Sequence, residues 1–330
     1  MTQAAVSQSL VSDLDPSQRP WVYVNGEFKP KNEAAINVFD HGLLYGDGVF
    51  EGIRVYNGKI FKLEQHLNRM YACAERIFLD LAAHVSRAEM TEIQRACIEA
   101  NGIRNGYIRL VVTRGVGTLG LNPYLCPTPG VVCIADQIAL YKPEMYERGM
   151  RVAVAERPRI PIECLDPRIK SLNYLNNILA KCEAIHLSEK LGIKTPEDQL
   201  LEVIMLNTQG HVAEGSGDNI FIVRDGVVLT PPTDAGILEG ITRKFVINEL
   251  APACGVEVRQ ENFSLADLLN ADELFLTGSA AEMIAVREVL EQKNGELTET
   301  HRISDGEGPV TAKLRAKFRE IVTSDSVPED

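Results

Sequence analysis

Three dipeptides, Asn25-Gly26, Asn57-Gly58 and Asp225-Gly226, each lie between short runs of strand-forming residues. Both central residues of the tightest hairpin turns have positive φ, which Asn, Asp and Gly tolerate best, so each pair folds neighbouring strands back antiparallel. "WVYVNGEF" is then one hairpin and "GVFEGIRVYNGKIF" another. A sheet built from such turns is not a doubly wound parallel sheet, and no strand here leads into a G-x-G-x-x-G turn, so a Rossmann fold is excluded.

Helices intervene. One is expected over roughly 63 to 79, with Leu63, Leu67, Met70, Ala74 and Ile77 on one face, and a second begins at the capping box Ser86-x-x-Glu89. "GYIRLVVTR" and "GVVCIAD" read as strands, and "QIALYKPEMYERG" breaks the pattern. The second half mixes strands ("RVAVAE", "LEVIMLN", "NIFIV", "GVVLT", "ELFLT") with helices near 172 to 190, 241 to 252 and 309 to 323. The expectation is a mixed α+β (α/β) chain of two domains, 21–136 smaller and 148–330 larger, joined by a linker at 137–147. Residues 1–20 read as a disordered tail.

Composition narrows the function. The 330 residues, 45% hydrophobic and 24% charged, suffice for two cores, and the formal charge of -12 argues against nucleic acid as a partner. No run of about 20 apolar residues exists to span a membrane. The N-terminal stretch, with Asp13 and Asp15, lacks the pattern of a secretory or transit peptide. Seven cysteines form no C-x-x-C pair and read as reduced, mostly buried thiols in a cytoplasm. Six histidines form no H-x-x-x-H or H-E-x-x-H pair, so no metal site is expected. No G-x-S-x-G elbow or Walker loop is present.

What remains is a lysine. In "DPRIKSLNYLNNILAKCEA" the apolar residues Leu172, Leu175, Ile178, Leu179, Cys182 and Ile185 recur at helical spacing, which places Lys170 at the mouth of a helix. A helix N-terminus disfavours a cation and so favours a neutral, nucleophilic amine, the form that condenses with a carbonyl. By itself such a residue is also an ordinary solvated lysine. Pyridoxal 5'-phosphate asks for three things: a lysine, a charged partner for its pyridine nitrogen, and donors for its phosphate. Glu214, before the Gly-Ser-Gly turn of "HVAEGSGDNIFIV", offers the second. "LEGITRKF" and "LTGSAAEM" each set a glycine and a hydroxyl residue, Thr242 and Ser279, at an expected helix start, a ready anion cradle and equally a plain cap. Arg69 lies beside the apolar stripe of its helix.

Taken together, "HGLLYGDGVFEGIR", "HLNRMYACAERI", "YIRLVVTRGVGTLGLNP", "IKSLNYLNNILAKCEA", "AEGSGDNIFIV", "GITR" and "TGSAAEM", in this order from about Trp21 to the last helix, resemble the fold-type IV (class IV) pyridoxal-phosphate aminotransferases, and within them the branched-chain amino-acid aminotransferases. The resemblance implies the two-domain D-amino-acid aminotransferase-like fold. It implies that Lys170 holds the cofactor, that Glu214 pairs with the pyridine nitrogen, and that Arg69, the Ile241 and Thr242 amides and Ser279 form the phosphate cup. Tyr174, four residues past the lysine, matches a tyrosine near the cofactor oxygen. Tyr45, Phe50, Gly52, Arg54, Tyr107 and Arg109 match the substrate pocket, with amides near Ser279 and Ala280 at the α-carboxylate. Strand parity independently puts Tyr107 with Arg109, and Phe50 with Gly52 and Arg54, on shared faces. The family further implies at least a homodimer with the active site at the subunit interface.

The expected reaction is transamination between L-leucine, L-isoleucine or L-valine and 2-oxoglutarate, giving 2-oxo acids and glutamate. "FEGIR" and "YIRLVVTRG" favour this reading, whereas D-amino-acid aminotransferases share "IKSLN" and the Lys170 to Tyr174 spacing, and aminodeoxychorismate lyase shares the fold and the lysine.

Overall fold

A computed structural model describes residues 11–324 and 327–330. The chain divides into two compact units: Met1–Ile138 with Ile169–Asn173 and Val322–Asp330, and Ala139–Arg168 with Tyr174–Ile321.

The first unit is built on a six-stranded antiparallel sheet in the order β2-β1-β6-β5-β3-β4, where β1 is Trp21–Val24, β2 Glu27–Pro30, β3 Gly48–Tyr56, β4 Lys59–Ile60, β5 Gly106–Thr113 and β6 Gly130–Asp136. Its tight turns are those the sequence indicated: Asn25 and Gly26 have φ of 48° and 101°, Asn57 and Gly58 52° and 80°. Helices Leu63–Arg76 and Arg87–Asn101 cover one face, the second capped by the Ser86–Glu89 box. The first stops at Arg76 instead of 79, with Ile77 as its cap. Strand alternation decides the two sides of the sheet. Val49, Ile53, Ile108, Leu110, Val112 and Val131 are buried against Leu67, Met70 and Met90 of the helices. Phe50, Gly52 and Arg54, with Tyr107 and Arg109, face the other way.

Three segments differ from expectation. Residues 1–10 of the expected tail lie outside the described residues, but 11–20 are held: Asp15 caps a 3-10 turn at Pro16–Gln18, Arg19 Nε donates to Ala100 O at 2.8 Å, and Trp21 Nε1 donates to Asp15 O at 3.1 Å. The C-terminal residues, expected with the larger domain, group with the first unit, where Lys62 N donates to Pro328 O and Glu64 N to Glu329 O. The lysine segment does likewise. Phe50 N donates to Lys170 O at 3.0 Å, Leu172 N donates to Gly48 O at 2.9 Å, and Ser171 forms an isolated bridge with Val49, so Ile169–Asn173 lies alongside the start of β3. The helix that follows is Leu175–Lys190 with Tyr174 as its N-cap. Lys170 is therefore five residues short of the helix, and no dipole acts on it from a first turn.

The second unit holds a nine-stranded mixed sheet, β12-β11-β10-β13-β14-β7-β8-β9, with β15 also pairing β14. The strands are β7 Met150–Val154, β8 Leu200–Leu206, β9 Val212–Glu214, β10 Asn219–Arg224, β11 Val227–Thr230, β12 Val258–Gln260, β13 Glu273–Gly278, β14 Glu282–Lys293 and β15 Glu296–Arg302. Pairs β7–β14, β7–β8 and β11–β12 are parallel. The β14–β15 hairpin, turning at Asn294 and Gly295, is not among the expected strands, nor are β9 and β12. β14 is rich in Glu, Met, Ala and Leu, residues that suit helices, and its pairing with β13, β7 and β15 overrides that preference. Part of the expected linker is helical, Pro143–Arg148, with Met145 buried.

Helix Leu175–Lys190 is turned relative to expectation. Ala180, Ala184 and Leu187 pack on the sheet with Leu200, Val203 and Met205, while Leu175 and Ile178 of the apolar stripe are 58% and 53% exposed. All seven cysteines are free thiols, but only Cys73, Cys97 and Cys133 are buried, fewer than expected.

Candidate active site

In the first unit, Lys170 stands beside a wall on the open face of the sheet. The register sets Gly52 opposite Arg109 and Arg54 opposite Tyr107, so two parity pairs inferred on separate strands form one surface. Arg109 lies over the Phe50 ring at 4.7 Å from its centroid, and the Lys170 Nζ stands 4.5 Å from the same centroid. A Cβ at position 52 would fall 1.7 Å from the Tyr107 hydroxyl. With Tyr107 so placed, only glycine leaves the phenol undisturbed. Arg54, Arg109 and Lys170 thus set three cationic groups around an aromatic and apolar floor, a surface matched to a small carboxylate with an apolar side chain.

Behind this wall, on the helix face, is a buried ionic cluster that the sequence reading missed. Arg69 grips Glu51 in a fork, Nε to Oε1 at 2.7 Å and Nη2 to Oε2 at 2.8 Å, and His66 Nδ1 meets Oε2 at 2.7 Å. Burial would raise the Glu51 carboxyl, but Arg69 and His66 together hold it well below the usual carboxylate range. Burial pushes the His66 imidazole below its ordinary value, against the pull of Glu51, with Arg69 and Lys170 adding to the fall. One turn beyond Arg69, the Cys73 Sγ accepts from Lys170 N at 3.3 Å, so the helix that carries Arg69 also steadies the lysine's backbone. The available signal was a charged residue, Glu51, at a core-facing parity of β3 opposite a helix bearing His66 and Arg69 three apart.

Tyr45 ends helix His41–Tyr45, its ring edge-on to His41 and its hydroxyl donating to Leu119 O. None of these contacts is with the Phe50 wall. Tyr174 belongs to the second unit, and the argument that it shares a helix side with Lys170 fails because the lysine is not helical.

The second unit holds its own buried carboxylate. Glu214 ends β9, buried, with Arg159 Nε donating to Oε1 at 2.9 Å and Leu238 N and Asn219 Nδ2 donating to Oε2 at 2.9 and 3.2 Å. Asn219 also donates to Leu238 O, and a Cβ at Gly240 would fall 2.1 Å from Asn219 Oδ1. That tight turn delivers the buried Ile241 and Thr242, whose helix starts at Ile241 as expected. Asn219 pairs with Thr277 on β13, two residues from Ser279. Glu214, the Ile241–Thr242 amides and the 278–280 turn are in this way tied to one end of β10. "LTGSAAEM" is not a helix start, however. Ser279 and Ala280 form the turn between β13 and β14, where antiparallel pairing of the flanking residues leaves no room for a helix. Arg159 and Asn219 were also missed, and nothing local in "ERPRIP" signals a partner 55 residues away.

The comparisons with known proteins bear on this arrangement. The family model for amino-transferase class IV matches residues 48–289. The chain belongs to the class IV aminotransferases. It is similar to the "Putative branched-chain-amino-acid aminotransferase" of Methanocaldococcus jannaschii, 43% identical over 302 residues that cover 92% of this chain and 96% of that one. It is also similar to the D-alanine aminotransferase of Staphylococcus haemolyticus, 33% identical over 92% of this chain and 99% of that one. Among solved structures, the branched-chain amino acid aminotransferase of Escherichia coli superposes with a TM-score of 0.80 at 30% identity, covering 94% of this chain and 96% of that chain. That of Thermobaculum terrenum, in its PLP-form, gives 0.74 at 26%, covering 92% and 94%. The fold is therefore that of the fold-type IV aminotransferases, and the cofactor of the class is pyridoxal phosphate. The donor set present fits that cofactor: an amine at Lys170 beside an aromatic ring, and a buried carboxylate at Glu214 with tight-turn amides at 241 and 242.

Proposed function

We propose that this aminotransferase exchanges amino groups between L-leucine, L-isoleucine or L-valine and 2-oxoglutarate. The observation that carries the reading is the wall of Phe50, Gly52, Tyr107 and Arg109 facing the Lys170 amine. Its apolar floor suits a short branched side chain, and Arg54 and Arg109 suit the carboxylates of both the donor and glutamate. The branched-chain names of the relatives support the same substrate class.

In this reading Lys170 holds the cofactor, and its Nζ moves the proton taken from the substrate Cα. Glu214 keeps a proton at the pyridine nitrogen, positioned for it by Arg159 and Asn219. Bound pyridoxal phosphate supplies the electron sink. Arg69, the Ile241 and Thr242 amides and Ser279 hold the phosphate, Tyr174 lies near the cofactor oxygen, and the amides at Ser279 and Ala280 take the α-carboxylate. Tyr45 also lines the substrate pocket, part of which a second copy supplies. A homodimer is supported by exposed apolar residues that a single chain leaves uncovered: Leu175 and Ile178 in one unit, Val38, Leu43 and Leu121 in the other. Light scattering of the purified protein at twice the 36.4 kDa chain mass or above is expected. Seven free thiols support a cytoplasmic setting.

A second reading, a D-amino-acid aminotransferase, is favoured by the D-alanine aminotransferase relatives and by the Lys170 to Tyr174 spacing. A panel of L-leucine, L-isoleucine, L-valine, D-alanine and an aromatic amine, each with 2-oxoglutarate, decides between them. The three L-amino acids are expected to react well and D-alanine poorly. D-alanine outrunning L-leucine reverses the assignment, and pyruvate release with an aromatic amine as product would mark a lyase.

A further inference from the structure

Glu214 and Asn219, which bond each other at 3.2 Å, are joined by the turn Gly215-Ser216-Gly217-Asp218, closed by Gly215 N donating to Asp218 O at 2.7 Å. The turn therefore sets where both of them stand. A second buried carboxylate, Glu202 on β8, grips this turn and is itself only 2% exposed. Its Oε1 accepts from Ser216 N at 2.8 Å and from Val203 N at 2.8 Å, and its Oε2 accepts from Gly217 N at 3.2 Å. Gly215 makes the close approach possible. A Cβ there would fall 3.3 Å from the Glu202 carboxyl carbon and 3.2 Å from the carbonyl oxygens of Val203 and Asp218.

Asn177 holds the same turn by its carbonyl. Asn177 Nδ2 donates to Ser216 O at 2.8 Å, while its Oδ1 accepts from Arg159 Nη1 at 3.2 Å, and Arg159 Nε donates to Glu214. Glu202, the turn, Asn177, Arg159 and Glu214 thus form one closed network within the second unit. A carboxylate taken out of water is unfavourable, and a well-packed apolar side chain would avoid that cost. Lys181 Nζ stands 3.9 Å from Glu202 Oε2, beyond hydrogen-bond reach, so the charge is directed mainly at the turn amides.

We propose that Glu202 is a positioning residue for transamination, holding Glu214 and Asn219 in place through the Ser216 and Gly217 amides so that Glu214 meets the pyridine nitrogen. The inference rests on the proposed cofactor role of Glu214. Glu202 touches neither cofactor nor substrate in this account and acts only through the turn. Replacing it by Gln keeps the shape but sets an N–H group where one of the turn amides also donates, which frees the turn.

The test compares the holoenzymes of Glu202→Gln, Glu214→Gln and the double variant, reading the visible spectrum of the bound cofactor against pH together with kcat for the best amino donor. A protonated pyridine nitrogen draws electrons from the ring and makes the lysine nitrogen bonded to the cofactor less basic. Loosening Glu214 should therefore move the spectral transition of Glu202→Gln to higher pH, as in Glu214→Gln, whereas deleting a nearby negative charge alone would move it lower. The kcat of Glu202→Gln should fall on the order of 10- to 100-fold, the usual effect of a misplaced group. The double variant should show no further change in either quantity, because Glu202 acts through Glu214. Glu202→Asp keeps the charge but withdraws it from the turn by one methylene, so the same upward move is expected, and it keeps the test valid if Glu202→Gln does not fold. A transition that stays or falls in a folded Glu202 variant, or rate losses that add in the double variant, would overturn the inference. An unaltered spectrum and rate in Glu214→Gln would instead remove the reading of Glu214 itself, and is recognised without any Glu202 variant.

Discussion

The Tyr107 hydroxyl occupies the volume that a side chain at residue 52 would need, 1.7 Å from where a Cβ would stand. The two residues lie diagonally across the β3–β5 pair, so Gly52 and Tyr107 together fix the depth of the wall that we propose lies beneath the substrate. Gly52→Ala should therefore push the phenol aside without straining the backbone, because Gly52 is not among the positive-φ residues. The fold and melting temperature should hold, while kcat/KM for L-leucine falls by roughly 10- to 100-fold, the usual result of misplacing a contact near the reacting atoms. An unchanged kcat/KM would remove this wall from the substrate pocket.

Glu214 and Arg159 form a buried pair, so Glu214→Gln has two separable effects. Loss of the proposed ionic contact to the cofactor nitrogen, about 2 to 3 kcal/mol, should lower the rate on the order of 30- to 150-fold. Leaving the Arg159 guanidinium without its counter-ion also destabilises the fold, by roughly 3 kcal/mol or less because the amide retains one acceptor. Adding Arg159→Met should restore the melting temperature and leave the rate low. Recovery of both together would show that Glu214 acts only through stability.

Lys170→Ala should fold, bind pyridoxal phosphate without a covalent link and show no turnover. In the parent enzyme, borohydride followed by peptide mapping should find the cofactor on Lys170. Label on any other lysine refutes the assignment.

Legibility followed sequence distance. The hairpin turns at Asn25-Gly26 and Asn57-Gly58 carry their φ requirement in two letters. Phe50, Gly52, Tyr107 and Arg109 were readable as parity pairs because strand alternation is strict. Helical periodicity was a poorer guide around Lys170: the apolar spacing from Leu172 onward is real, yet pairing of Lys170 and Leu172 with β3 takes those residues out of the helix, and Leu175 and Ile178 turn away from the core of their own unit. β14 failed as a strand for a related reason, its helix-favouring composition being overridden by three neighbouring strands. Arg159 and Glu51 make long-range ion pairs, 55 and 18 residues apart in sequence, which no local pattern encodes.

His66 gives the fold a pH dependence whose sign can be worked out. Burial, foremost, depresses its pKa in the folded state, with Glu51 opposing. In the unfolded chain the imidazole takes up a proton near pH 6.5, whereas the folded one resists until lower pH, so the unfolded state binds more protons in that window. The His66 contribution is thus fully present above about pH 6.5 and is lost progressively as the pH falls below it. Gln at this position can still donate to Glu51 Oε2 but does not titrate. The melting temperature of the parent minus that of His66→Gln should accordingly be largest near pH 8 and shrink towards pH 5. This window lies above the ordinary titration range of glutamate, so Glu51 remains ionised throughout and Arg69 stays paired in both proteins. A difference that widened on acidification would mean that His66 is stabilised in its charged form, with the Glu51 attraction outweighing burial.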